Sequence, residues 1–141
     1  MSIQTLYTAS VTATGGREGR VISDDGKLDL KLALPKGLGG PGGDATNPEQ
    51  LFAGGYAACF ESAIRFVARE RGIKLESAFV TAIVGVGPRA AGGFGLTVAL
   101  KVSLPDFDKS VATELATYAH EVVCPYSHAT RGNLDVTIEI I

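Results

Sequence analysis

The sequence predicts an α+β domain of mainly antiparallel sheet, ordered β-β-β-α-β-β-α-β, with a long buried helix at its centre. Three observations predict it. Leu28, Leu30, Leu32 and Leu34 recur at period two, the mark of a half-buried strand. A single helical stretch over residues 47–71 separates the early strands from two later ones. A second, shorter helical pattern then leads to a closing strand, "NLDVTIEII". A chain of 141 residues has room for one core, so residues 1–141 are expected to form one domain.

Residues 3–14 alternate toward β-branched and aromatic types, and "TGGREG" supplies a turn whose glycines tolerate positive φ. "RVIS", then "DDG" and "KLDLKLALP", complete a three-stranded meander. "KGLGGPGGDATNP" has too many glycines for regular structure and reads as a loop; no Lys-Ser/Thr pair follows it, which argues against a phosphate site. Thr46 and Glu49 have capping-box spacing and Pro48 suits a first turn, so the helix starts near residue 47. Gly72 ends it, after the cations of "ARERG". Between Leu51 and Phe60 this helix is apolar or small on every side. One small sheet covers one face only, so the remaining faces call for a second copy of the chain. Gly54 and Gly55 each cost about 1 kcal/mol in a helix interior, which a close approach by another backbone would explain.

"SAFVTAIVGVGP" and "GFGLTVALKVSLP" read as two strands joined across a glycine turn. The second helix is expected over 108–123, capped by Asp108, with Val111, Leu115, Tyr118, Ala119 and Val122 on its apolar face. Pro125 disfavours helical geometry at the residue before it, which places Cys124 at or just past that helix's end.

Thirteen basic and fifteen acidic residues leave no electrostatic footprint for nucleic acid or an anionic membrane. No apolar run approaches a membrane span, and the first residues lack the charged and apolar regions of a secretion signal, so a cytoplasmic protein is expected. In a reducing compartment two cysteines are either inert core residues or redox-active ones. On a helical wheel Cys59 lies within about 60° of Phe52, Tyr56 and Ala63, facing the interior. Apolar surroundings raise a thiol's pKa, so reactivity demands a cation nearby. Arg17, carried by the glycine turn, is the best placed; Arg20, Arg89 and Arg131 are the alternatives. Cys124, at the carbonyl end of a helix, is in the poorer position to ionise. The natural division makes Cys59 the nucleophile and Cys124 the thiol that captures its sulfenic acid as a disulfide.

"TNPEQLFAGGYAACF", "VCPYSHATRGN", "TATGGREG" and "LGGPGG" together resemble, in order and spacing, the organic hydroperoxide resistance (Ohr) branch of the OsmC/Ohr family. The resemblance implies an OsmC-like fold, an intertwined homodimer, and a cytoplasmic cysteine peroxidase that reduces organic hydroperoxides, fatty-acid hydroperoxides included. It implies no metal or cofactor, and as reductant a lipoylated protein or dihydrolipoamide. By the same resemblance Cys59 is the peroxidatic thiol, Cys124 the resolving thiol, Arg17 the activating cation and Glu49 the carboxylate that orients Arg17. Glu49 and Cys59 stand ten residues apart on one helix, about 15 Å along its axis. One arginine could hardly touch both, so Arg17 and Glu49 are expected to serve the Cys59 of a partner subunit.

Rival chemistries are weaker. His120, Cys124 and His128 fall at intervals of four, but Pro125 breaks the register a zinc site would need, and no Cys-x-x-Cys pair exists. A Cys-His hydrolase would lack an evident acidic partner or oxyanion loop. A dimeric binding module would consume no dithiol in the presence of peroxide.

Overall fold

The computed structural model describes residues 2–141 and resolves into two compact units, one ending at Pro48 and the other running Glu49–Ile141. In the first, β1 (Val11–Thr14), β2 (Arg20–Ser23) and β3 (Asp29–Lys31) form the expected antiparallel meander. Its strands are shorter than their sequence pattern. Residues 2–10 find no strand partner and expose Ile3, Leu6 and Tyr7, Leu6 at 91%. Beyond β3 the leucine alternation ends in a single bridge between Leu32 and Thr46, and Leu32 is buried. Gly15 and Gly16 take φ of 73° and 57°, so the β1–β2 connection depends on residues without a Cβ. The glycine-rich loop contains one short 3₁₀ turn, Lys36–Leu38.

The second unit is built on α1 (Pro48–Glu70), which ends as the sequence predicts. Gly72 adopts φ 68°, with Ile73 N–H bonded to the Ala68 carbonyl and Gly72 N–H to that of Arg69, the paired bonds of a Schellman stop. β4 (Phe79–Pro88) and β5 (Phe94–Ser103) pair antiparallel over their full length, and β6 (Val136–Ile140) joins β5 in parallel. A parallel neighbour needs a crossover, which α2 (Lys109–Tyr118) supplies. Val98, Leu100, Val102 and Leu104 turn inward at period two and meet Tyr56, Phe60, Ile64 and Val67 of α1 and Leu115 of α2 in one core. Burying each large side chain there is worth about 1.5–3 kcal/mol. Asp108 caps α2 as expected, accepting from Val111 N–H at 2.9 Å.

Two features depart from the expected helix over 108–123. The α-helical winding stops at Tyr118, and Ala119–Val123 form a wider π turn in which Cys124 N–H reaches the Ala119 carbonyl at 2.8 Å. Pro125 then opens a further helix, α3 (Pro125–Thr130), that periodicity over six residues does not announce. Cys124 is extended between them (φ −71°, ψ 118°), as a residue before proline should be.

α1 is covered on one side only by its own chain. Tyr56, Phe60, Ala63 and Ile64 are buried, whereas Gly54, Ala58 and Ser62 form an exposed ridge. Gly55 has its own explanation: a Cβ there would meet the Tyr126 hydroxyl at 2.8 Å, so the position makes room for a ring and not, as expected, for a backbone. At Gly54 a Cβ would meet nothing within 4 Å.

Candidate active site

Cys59 sits on α1 at the edge of the core, half-buried, and Cys124 is buried in the link between the π turn and α3. The two thiols, 65 residues apart in sequence, are hydrogen-bonded to each other, and both are free. Burial pushes the Cys59 thiol up from its ordinary value; the neighbouring Cys124 and the bond between the two sulfur groups push the same way, and the backbone N–H of Tyr126 pulls it back. That amide belongs to the first turn of α3, so the helix invisible to periodicity supplies a donor to the sulfur. The signal that could have revealed it is Pro125, which suits a first helical turn as well as it stops the preceding one.

The link that carries Cys124 is held from behind by a buried chain of polar groups. The Tyr56 hydroxyl lies 2.9 Å from Ser127 Oγ, which lies 2.9 Å from His120 Nδ1; Thr130 Oγ1 is 3.5 Å from the same tyrosine oxygen. Tyr56 and Ser127 are fully buried. Arg131 donates to the His120 carbonyl at 2.6 Å. Burial holds His120 below the usual imidazole value, Arg131 adds to that effect, and Glu121 opposes it. Read from the sequence, His120 is a plain polar residue of the second helix; in the structure it ties the π turn to α3. Among the described residues no group of three His, Cys, Asp or Glu side chains could hold a metal ion.

Beside Tyr126 the surface opens into a groove of about 770 Å³, with Phe52, Phe94, Leu96 and Leu134 among its walls. Of the aromatics expected either in the core or along a cleft, Phe52, Phe94 and Tyr126 line this groove, while Tyr56 is in the core and Phe107 packs against it. The rings of Phe52 and Tyr126 stand edge to face at 6.4 Å.

Arg17 belongs to the other unit. It is half-buried in the 3₁₀ turn Gly16–Glu18, and a Cβ on Gly19 would lie 1.7 Å from the Thr14 carbonyl oxygen, so this turn admits no side chain at its exit. Glu49 is in the first turn of α1, half-buried. Because α1 is continuous from Pro48 to Glu70, the separation of about 15 Å between Glu49 and Cys59 along its axis holds. Of the alternative cations, Arg20 pairs with Asp29 at 2.6 Å and Arg131 is engaged as described. Among the described residues, no helix is long and apolar enough to cross a membrane.

Comparison with known proteins bears on this arrangement. The family model described as OsmC-like protein matches residues 40–139. The organic hydroperoxide resistance protein of Xanthomonas axonopodis pv. citri is 54% identical over 136 residues, spanning 96% of this chain and 94% of that one. The crystal structure of an organic hydroperoxide resistance protein from Legionella pneumophila superposes with a TM-score of 0.92 at 51% identity, covering 97% and 98% of the two chains. That of OhrB from Bacillus subtilis gives 0.87 at 46%, covering 97% and 100%. With paired thiols on an OsmC-like α+β fold and relatives this similar end to end, the chain belongs to the OsmC/Ohr family, in its organic hydroperoxide resistance branch.

Proposed function

We propose that this protein is a cysteine peroxidase acting in resistance to organic hydroperoxides. The observation that carries the reading is the contact between Cys59 and Cys124, one thiol at the edge of an apolar groove and the other buried behind it. The Cys59 thiolate attacks the peroxide and breaks the O–O bond; sulfur keeps one oxygen as sulfenic acid, and the other leaves as alkoxide and takes a proton to become the alcohol. The Cys124 thiol then attacks that sulfur, water leaves, and a disulfide closes. A lipoyl-type dithiol restores both thiols and is itself oxidised to a cyclic disulfide.

Cys59 is held above the ordinary thiol range by its surroundings, so ionisation calls for a cation. We assign that role to Arg17, with Glu49 orienting it. Ionisation alone contributes little: at a pKa near 8.5 roughly a tenth of a thiol is ionised around pH 7.5, which leaves at most about tenfold to gain. The larger share comes from aligning the peroxide and donating to the departing alkoxide.

We further assign a homodimer in which both compact units of 1–141 work as one domain, with Arg17 and Glu49 serving the partner's thiol. The exposed ridge of α1 at Gly54 and Ala58, the spacing of Glu49 from Cys59, and the uncovered Ile3, Leu6 and Tyr7 support it. A cytoplasmic setting suits a cycle that begins from two reduced thiols.

The test is intact mass after one equivalent of an alkyl hydroperoxide. The wild type should lose two hydrogens, while Cys124→Ser should gain one oxygen on Cys59. Unchanged masses in both would refute the peroxidase reading.

A further inference from the structure

The groove beside Cys59 carries one feature that reduction of a simple alkyl hydroperoxide does not require. Its walls are mostly apolar, yet Arg89 lies among them, and none of the lining residues is acidic. A groove of about 770 Å³ falls within the range of about 300–1,000 Å³ typical of sites for organic ligands.

Arg89 differs from most of the other arginines. Arg20, Arg65 and Arg71 have carboxylate partners, Arg131 has a carbonyl, and Arg69 lies over the Phe66 ring. The Arg89 guanidinium makes no hydrogen bond or ion pair among the described residues, so an incoming anion would displace no protein carboxylate.

The side chain is nonetheless placed. Arg89 opens the β4–β5 turn, its N–H bonded to the Gly93 carbonyl at 2.9 Å, and the stem lies along two glycines of that hairpin. A Cβ on Gly95 would come within 3.0 Å of Arg89 Cγ, and one on Gly93 within 3.3 Å of a terminal guanidinium nitrogen. Glycine at both positions leaves room for the arginine to pack against the hairpin. Opposite walls come from α1, through Phe52, and from α3, through Tyr126, whose backbone N–H touches the Cys59 sulfur. The groove thus joins the reacting thiol to an unpaired two-point donor across apolar side chains.

We propose that Arg89 is a specificity-determining residue that favours hydroperoxides whose alkyl chain bears a carboxylate, the chain lying on the apolar walls while the guanidinium fork binds the acid group. The inference rests on the peroxidase reading for its substrate. Its physical content is that a carboxylate matches the fork in charge and geometry, whereas an ester of the same chain keeps the apolar contacts and loses the ion pair.

The experiment compares a long-chain hydroperoxy fatty acid with its methyl ester, below their micellar concentrations, with cumene hydroperoxide as the neutral reference. The wild type should prefer the acid in kcat/KM. Arg89→Gln should lower that preference by about 5- to 30-fold, the range between a charged hydrogen bond and a solvent-screened pair, chiefly through KM. Turnover of cumene hydroperoxide should not change, and Arg89→Lys should restore part of the preference. An acid-to-ester ratio identical in wild type and Arg89→Gln would overturn the proposal while leaving the peroxidase intact. Calorimetric binding of dodecanoate against dodecanol provides a readout free of turnover. Arg89-dependent binding of dodecanoate by a protein that consumes no hydroperoxide would refute the peroxidase and keep the anion site; equal binding of dodecanoate by wild type and Arg89→Gln would remove the site.

Discussion

Ser127→Ala is the sharpest test of how the Cys124 segment is held. Ser127 is fully buried, and its single oxygen serves both the Tyr56 hydroxyl and His120 Nδ1 at 2.9 Å. Removing that oxygen deletes two hydrogen bonds, each worth about 0.5–1.5 kcal/mol net. It also leaves the tyrosine with only Thr130 at 3.5 Å, and the imidazole nitrogen with no partner in a half-buried site. The void is one oxygen atom, so the polar cost outweighs the packing cost, and the total loss should be about 2–4 kcal/mol. Urea denaturation at one fixed protein concentration measures it, since assembly makes stability concentration-dependent. Tyr56→Phe completes a double-mutant cycle with Ser127→Ala, and a coupling of about 1 kcal/mol is expected. A loss below about 0.5 kcal/mol, or strictly additive single costs, would refute the claim that this chain of hydroxyls and imidazole holds the link.

His120 gives a pH dependence with a definite sign. Burial, then Arg131, lower its folded pKa, so the unfolded chain binds the proton more readily. Stability from this group should be complete above the unfolded histidine value of about 6.5 and fall as pH drops below it; His120→Gln should flatten that part of the urea-midpoint profile. Arg17→Ala should lose more peroxide rate than the change in Cys59 ionisation accounts for, and Arg17→Lys should not recover it because the fork is lost. Thiol alkylation against pH, set beside stopped-flow peroxide reduction, separates the two contributions; a rate deficit fully matched by the ionisation change would remove the alignment role.

Most of the fold was legible where one local rule acts alone. The length of α1 follows from an apolar run between Pro48 and the positive-φ Gly72, and β5 from period-two burial at Val98, Leu100 and Val102. Legibility failed where two rules meet at one residue. Pro125 ends one helix and begins another, and a reading that stops at the first role misses α3 and with it the amide at Cys59. The π turn hides for another reason: over five residues its apolar spacing is indistinguishable from that of an α-helix. Residues 3–10 alternate as a strand should, but nothing in the same chain pairs with them, and pairing is not a local property. For the site, two specific motifs marked both thiols, whereas the Tyr56–Ser127–His120 chain joins common residue types from distant segments and left no mark in the spacing.

The extra winding between Ala119 and Val123 fixes the length of the segment more strictly than its composition. A version one residue shorter could close as ordinary α-helix, and everything beyond would rotate by about 100° about the axis. Such a deletion would swing the second sulfur away from the first without altering any side chain that does chemistry. Insertions and deletions here should therefore be far less tolerated than substitutions at Glu121 or Val122, whose side chains already face solvent.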